Sequence, residues 1–353
     1  MMARTKGPHL DLPRLAGNIP QIDVLKGLAI VAVLLLHAIP THELFGSWAP
    51  LHLGQAVPIF IVIMGINAFG SSARRGIATL RDAYTRDYVI GRIDRIYVPF
   101  LVIYAVSLAA KLIGGEHRPG FLAGLVSGEL PSSGPGNYFI GLIFQFALLG
   151  PALYLAYRRW PRATLLASFA ASALFDLAAP HVGLFSSQEY LYSAAIVRFA
   201  PFIVCGIAVG ERMVRGEGLG AWWLAGAVVS FAYLLAVSID GTLVPLAVRD
   251  WRPWGQTSLS VFYTVALVAL GLRYLPTATP SARLLAVLGR ASYHIFLVQI
   301  LWYSAFGDRG LLIAPLDVVA CCAIGWAFWR VMERVPTLGA RRAQVAERAV
   351  AAG

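Results

Sequence analysis

Charged side chains are scarce in this sequence. Asp, Glu, Lys and Arg make up 13% of its 353 residues, whereas 58% are hydrophobic. A water-soluble domain of this size carries roughly a quarter charged residues. Too little charge is present to cover a surface facing water, which excludes an ordinary soluble α/β protein and points to a polytopic membrane protein. Cysteine is sparse as well. Cys205, Cys321 and Cys322 lie in or beside apolar runs, which excludes a disulfide scaffold and forms no metal-ligand spacing. The seven histidines make no HxxxH or HExxH pattern, so no metal is expected.

What the sequence has in quantity is long apolar runs. Ten candidate helices fall at 22–40, 53–70, 95–113, 136–157, 161–178, 195–211, 221–239, 257–274, 290–306 and 311–332. Pro58, Pro99 and Pro201 sit inside or near span starts, where neighbouring helices can satisfy the backbone groups that proline frees. The expected fold class is an all-α, polytopic integral membrane bundle of about ten transmembrane helices.

Arginine placement orients the bundle. Arg4, Lys6, Arg14 and Lys26 precede or open the first run; Arg74, Arg75, Arg81, Arg86, Arg92 and Arg95 lie between the second and third. Further basic clusters occur at Arg158, Arg159 and Arg162, at Arg212 and Arg215, at Arg273, Arg283 and Arg290, and at Arg330, Arg334, Arg341 and Arg342. The alternate loops hold only Lys111 and Arg118, then none over 179–194, then Arg249 and Arg252, then Arg309. By the positive-inside rule both termini are expected to be cytoplasmic. The expected divisions are a cytoplasmic segment over 1–20, one transmembrane domain over 21–333 and a cytoplasmic tail over 334–353. The first apolar run has no cleavage-site pattern and is expected to stay in the protein. The net charge of +11 is spread over separate loops, which argues against nucleic-acid binding.

Two polar residues stand out in the first run. Lys26 opens it and His37 lies eleven positions later, about 16 Å away at the helical rise. An ionisable group within a span is costly unless paired, hydrated or snorkelling. His37 is either an interfacial residue, in keeping with nearby His42 and Glu43, or a general base for a hydroxyl nucleophile, with Glu43 a loose candidate to orient it. Arg92 and Arg95, three apart, share a helix face. They are either plain topology anchors or, with Lys26 and with Asp23 or Asp94 to hold one of them, a binding site for a phosphate-rich ligand. Together the two depths suggest a phosphorylated carrier docked at the inner face, its arm reaching roughly 15–20 Å toward His37.

Other polar residues are less pointed. Gln299 lies halfway along the ninth run as interhelical glue or cavity lining, and His294 reads as interfacial. Asn137 and Tyr138 open the fourth run at the interface. Glu189 reads as a solvated loop residue or a contact to a polar acceptor; Asp176 and Asp240 read as span-boundary residues. Trp222, Trp223, Trp251 and Trp254 read as interface anchors, the last two also as a surface for a sugar.

Five stretches in order resemble the membrane acyltransferase-3 family. Ile22-Asp23-Val24-Leu25-Lys26-Gly27-Leu28-Ala29, followed by His37, is similar to its opening motif. Val57-Pro58-Ile59-Phe60-Ile61-Val62-Ile63-Met64-Gly65 and Arg92-Ile93-Asp94-Arg95-Ile96-Tyr97-Val98-Pro99 resemble its second and third. Phe199-Ala200-Pro201-Phe202-Ile203-Val204-Cys205-Gly206 and Leu288-Gly289-Arg290-Ala291-Ser292-Tyr293-His294-Ile295-Phe296-Leu297 resemble the later two. The likeness runs from about residue 20 to 332.

The resemblance implies a multi-pass enzyme of the bacterial inner membrane that moves an acyl group, acetyl foremost, from acyl-CoA to a hydroxyl of a sugar, envelope glycan, lipid or metabolite. It makes His37 the catalytic histidine and places Arg92 and Arg95, with Lys26, on the acyl-CoA side. Asp23, Glu189, Tyr293 and Gln299 become candidates for substrate or structural support. The sequence departs from the family pattern at four positions: Lys26 stands for an arginine, Met64 for a serine, Tyr138 for a tryptophan and Gln299 for a histidine. The competing class is a transporter or flippase for an envelope precursor, which a ten-span bundle would also suit.

Overall fold

The fold was analysed in a computed structural model that describes residues 9–15, 19–115, 121–240, 255–307 and 309–335. Ten principal helices follow one another: α1 (Pro20–Ala38), α2 (Ala56–Arg74), α3 (Val98–Ile113), α4 (Tyr138–Arg159), α5 (Pro161–Ala178), α6 (Ile196–Arg215), α7 (Ala221–Ile239), α8 (Val261–Tyr274), α9 (Pro280–Phe306) and α10 (Ala314–Arg334). Among the described residues, nine spans, counting short helical turns that run into α2, α3, α5 and α6, are long and apolar enough to cross a membrane; α8 with its leading turn, Ser258–Tyr274, is a shorter apolar helix. The expectation of about ten spans thus resolves into nine long ones and one short one. Among the described residues the bundle is all-α apart from a single antiparallel bridge between Leu10 and Leu219. Arg4, Lys6, Arg118, Arg249, Trp251, Arg252, Trp254, Arg341 and Arg342 lie outside the described residues.

The largest boundary difference is in α9, expected over 290–306. Thr279 caps it, its hydroxyl accepting from the Ala282 N–H at 3.2 Å, and Pro280 occupies the first turn. Those are strong helix-start signals, but Arg283 and Arg290 fall within the first three turns, and arginines ordinarily mark the edge of a span. A hydropathy reading therefore truncates the helix and puts Arg290 at its mouth rather than within it.

α2 and α6 are mostly buried inside the bundle, whereas α5, α7 and α10 present most of their surface outward. In lipid, apolar side chains gain little by leaving the solvent, so close backbone packing carries more of the association. Glycines allow it at two crossings. A Cβ on Gly289 of α9 would collide with the Asp23 carbonyl of α1, and one on Gly27 with the Leu285 carbonyl. Gly65 of α2 and Gly206 of α6 meet the backbones of Ile203 and Val62 in the same way. Further along the α1–α9 pair, the Tyr303 hydroxyl donates to the Leu34 carbonyl at 3.1 Å.

A buried charge within the bundle belongs to Arg198, near the start of α6 and 3% exposed. Its Nη1 donates to the Tyr192 carbonyl at 3.0 Å, its Nε lies 3.8 Å from Asp176, and it stacks 4.0 Å from the Tyr192 ring centroid. Asp176 is thus an interhelical partner tying α5 to α6, in place of the boundary role expected for it. Arg198 is absent from the charge pattern of the loops, although a lone arginine inside an apolar run can be found from hydropathy alone.

Candidate functional site

The arginine-rich end of the bundle opens into a cavity of about 1240 Å³. Six cations line it: Lys26 of α1, Arg74 and Arg75 at the end of α2, Arg92 and Arg95 before α3, and Arg290 of α9. Among the described residues only two carboxylates, Asp82 and Asp87, line it with them, so the mouth is strongly positive. A smaller cavity, lined by Asp23, Lys26, Asn67 and Arg74 among others, adjoins it.

Local structure explains why these cations collect there. Lys26 is held by Asp23 one helical turn earlier, Nζ to Oδ1 at 2.7 Å. The short helix Leu80–Ala83 begins with a reciprocal cap in which the Asp82 N–H donates to the Thr79 hydroxyl and the Asp82 carboxylate accepts from the Thr79 N–H. Hydrogen bonds from the Thr79 hydroxyl and N–H hold the Asp82 carboxyl below the usual range. Arg75 Nη2 donates to the Asp82 carbonyl and to the Thr85 hydroxyl, each at 3.3 Å. Arg92 lies 4.9 Å and Arg75 5.7 Å from the centroid of Tyr88, whose hydroxyl donates to Ala147 of α4 at 2.8 Å. The loop after α2 is thereby anchored to α4 with its arginines turned into the cavity.

The approach to α3 contains one π-helical turn, Ile93–Tyr97, where the Val98 N–H bonds back to the Ile93 carbonyl. Such turns occur often at functional sites. Here Arg95 Nε donates to the Gly91 carbonyl at 2.9 Å, and the Tyr293 hydroxyl of α9 donates to the Ile96 carbonyl at 2.9 Å. Tyr293 also lines the cavity. It thus joins α9 to the segment that carries the arginine pair.

Deeper in, the lining turns aromatic. Phe60, Phe139 and Phe296 line the cavity and pack in series, with ring centroids 6.1 Å apart for Phe60 and Phe139 and 5.0 Å for Phe139 and Phe296. Met64, where the family pattern has serine, adds to this apolar wall. Beyond Phe296 stands His37, at the far end of α1. The three side chains meet at Gly136: a Cβ there would lie 3.2 Å from Phe296 Cζ, 3.4 Å from Gln299 Nε2 and 3.5 Å from His37 Nε2. Gly136 has φ +78, a conformation glycine adopts without the steric cost of a Cβ.

The loop that brings Gly136 there, residues 128–137, is firmly built. Asn137 both donates to and accepts from the backbone of Leu130, at 3.3 and 3.0 Å. Ser304 donates to the Ser132 carbonyl at 2.7 Å, and Gln299 Nε2 donates to the Pro135 carbonyl at 3.1 Å. Gln299 is fully buried and its Oε1 has no hydrogen-bond partner among the described residues. Tyr138 stacks on Phe199 of α6, centroids 6.3 Å apart and rings 3° from parallel.

The structure thus brings Lys26, Arg92, Arg95 and Tyr293 around one cavity, with Asp23 behind Lys26. It brings His37 and Gln299 together past the aromatic layer. It does not bring in Glu189, which is exposed at the start of a short helix, Glu189–Ala194, and does not line the cavity. Glu43 lies on the next short helix, 3.9 Å from His42 Nε2, and His37 has no hydrogen bond to any described residue. His294, expected at an interface, is buried against Phe328, with centroids 5.1 Å apart. In the sequence Arg74, Arg75 and Arg290 carry only a topology signal; their convergence depends on how the loops fold back. Among the described residues there is no cluster of three or more His, Cys, Asp or Glu placed to hold a metal.

A search of curated proteins returned no match, and neither did a search of solved structures. The family model described as Acyltransferase domain, of the acyltransferase-3 type, matches residues 19–330, which takes in all ten principal helices except the last turn of α10. With the cationic cavity, the aromatic throat and the histidine at its end all inside the matched region, the chain belongs to the membrane acyltransferase-3 family.

Proposed function

We propose that this protein transfers an acyl group, acetyl foremost, from acyl-CoA to a hydroxyl of a glycan, lipid or related metabolite at a bacterial inner membrane. The observation that carries the reading is the polarity gradient along one cavity, from six cations at the mouth to aromatic rings at its inner end, with His37 beyond them. Phosphate groups of the donor match the cationic mouth, because guanidinium forks pair with phosphate oxygens in two-point contacts. The uncharged arm matches the throat. The arginine-rich end is taken as cytoplasmic, where acyl-CoA is made.

In this reading Arg92, Arg95 and Lys26 hold the donor, and Asp23 fixes the lysine. His37 accepts the proton of the acceptor hydroxyl as its oxygen attacks the thioester carbonyl. The carbon–sulfur bond breaks, and the thiolate leaves with the carbonyl carbon now joined to oxygen. Tyr293 keeps α9 in register with the arginine segment.

The test compares cells carrying the wild-type protein with cells carrying His37→Ala, by mass spectrometry of envelope glycans, lipids and small metabolites. A mass increment present only with the wild type names both acyl group and acceptor. Full modification by the variant would remove His37 from the chemistry. A substrate that crosses the membrane without covalent change would favour transport instead.

A further inference from the structure

The Gln299 oxygen is a polar atom beside His37 that has no hydrogen-bond partner among the described residues. The Pro135 carbonyl can only accept a hydrogen bond, so the Gln299 side chain must turn its NH₂ toward it. That orientation fixes Oε1 as a pure acceptor, fully buried and unpaired. Buried polar atoms are paired in the great majority of cases, and an exception calls for a missing group. The missing group must be a hydrogen-bond donor.

Position narrows the choice. Phe296 lines the cavity and meets His37 and Gln299 at Gly136, and Gln299 follows it by three residues on α9, on the same helix face. An arm that enters from the cations and passes Phe296 therefore brings its final segment alongside Gln299. In a CoA thioester that segment is the cysteamine unit, whose amide N–H lies two carbons from the sulfur. The acceptor hydroxyl is a poorer match, since its one proton goes to His37.

We infer that Gln299 Oε1 accepts a hydrogen bond from the cysteamine amide of the donor arm and thereby sets the thioester beside His37. The inference rests on the acyl-CoA reading above. Gln299 is thus a donor-binding residue that measures the distance between sulfur and amide. It would be satisfied only when a correctly built arm is fully inserted, so the carbonyl meets His37 in one register.

The test measures equilibrium binding of two donors to the full-length protein in lipid nanodiscs. One is acetyl-CoA; the other is the same molecule with the cysteamine amide nitrogen replaced by oxygen. The wild type is expected to bind the amide form about tenfold more tightly, a difference of roughly 1.4 kcal/mol. Gln299→Met, which keeps the length and removes the acceptor, is expected to abolish the preference. Gln299→His is expected to keep most of it, because one ring nitrogen can donate to Pro135 while the other accepts. A preference unchanged in Gln299→Met overturns the inference, as does a wild type that binds both forms equally. The second result requires no variant to fold. A wild type that binds neither form, or CoA itself, brings down the acyl-CoA reading and this inference with it.

Discussion

The two ends of α1 offer opposite solutions to placing a polar residue in a membrane bundle. Lys26 has a carboxylate 2.7 Å away and five arginines around the same cavity. His37 has no hydrogen bond to any described residue and is surrounded by Phe296, Tyr303 and the Gly136 backbone. The first end is a charged basin that tolerates exchange of its members, because many cations share one task. The second is a narrow space in which each atom is placed by a neighbour. Substitutions at the mouth should therefore act on donor affinity alone, whereas those near His37 should act on turnover, and at Gln299 on donor affinity as well.

The largest expected effect breaks the second end outright. His37→Ala should lower acyl transfer by roughly 10²–10⁴-fold, the usual contribution of a positioned general base, while acyl-CoA binding stays within about twofold, a margin small beside a binding step of 1.4 kcal/mol. Equal losses in binding and turnover would show that the two ends are not separable.

The joint between the ends comes next. Gly289→Leu should prevent α9 from seating against Asp23 and Gly27, with a destabilisation of at least about 3 kcal/mol, the upper part of the overpacking range, because backbone rather than a flexible side chain is in the way. Thermal unfolding of the detergent-solubilised protein measures it. Wild-type stability would mean that the α1–α9 crossing is looser than described.

At the mouth, Arg92→Ala is expected to raise the donor KM by roughly tenfold, the loss of a charge-assisted contact, with kcat nearly unchanged. Moderate salt should raise the wild-type KM as well, since exposed charges are screened. A drop in kcat without a change in KM would move Arg92 out of the donor-binding role.

Gly136→Ala should instead reduce kcat by roughly tenfold and weaken donor binding with it, since a left-handed conformation costs an alanine about 1–2 kcal/mol and the methyl group crowds Phe296, Gln299 and His37. The smallest effect is expected at exposed Glu189: Glu189→Gln should leave transfer within about twofold, in keeping with surface substitutions generally. A large loss there would mean that the acceptor reaches the protein outside the cavity.

Much of this arrangement could be read before any coordinates. Lys26 and His37 drew attention because an apolar run makes ionisable groups costly, and Arg92 and Arg95 because a three-residue spacing puts them on one face. Glu189 drew attention only as a polar residue in a loop, and nothing in its spacing could show that the loop leads away from the cavity. Gln299 was visible as polar and mid-helix, yet glue and cavity lining could not be separated without its neighbours. In the structure it is not among the residues lining the cavity: its amide nitrogen ties α9 to Pro135 of loop 128–137, and its oxygen has no partner among the described residues.

By itself the sequence determined that the chain is a helical membrane bundle, where most spans run, and which residues a bilayer makes costly. These properties are local, set by composition and by the length of apolar runs. Only the tertiary structure decided that Arg74, Arg75 and Arg290 join the cavity, that Arg198 pairs with Asp176, and that loop 128–137 delivers Gly136 to His37. Each of these joins residues far apart in the chain, and such meetings depend on helix crossings and loop paths that no local pattern encodes.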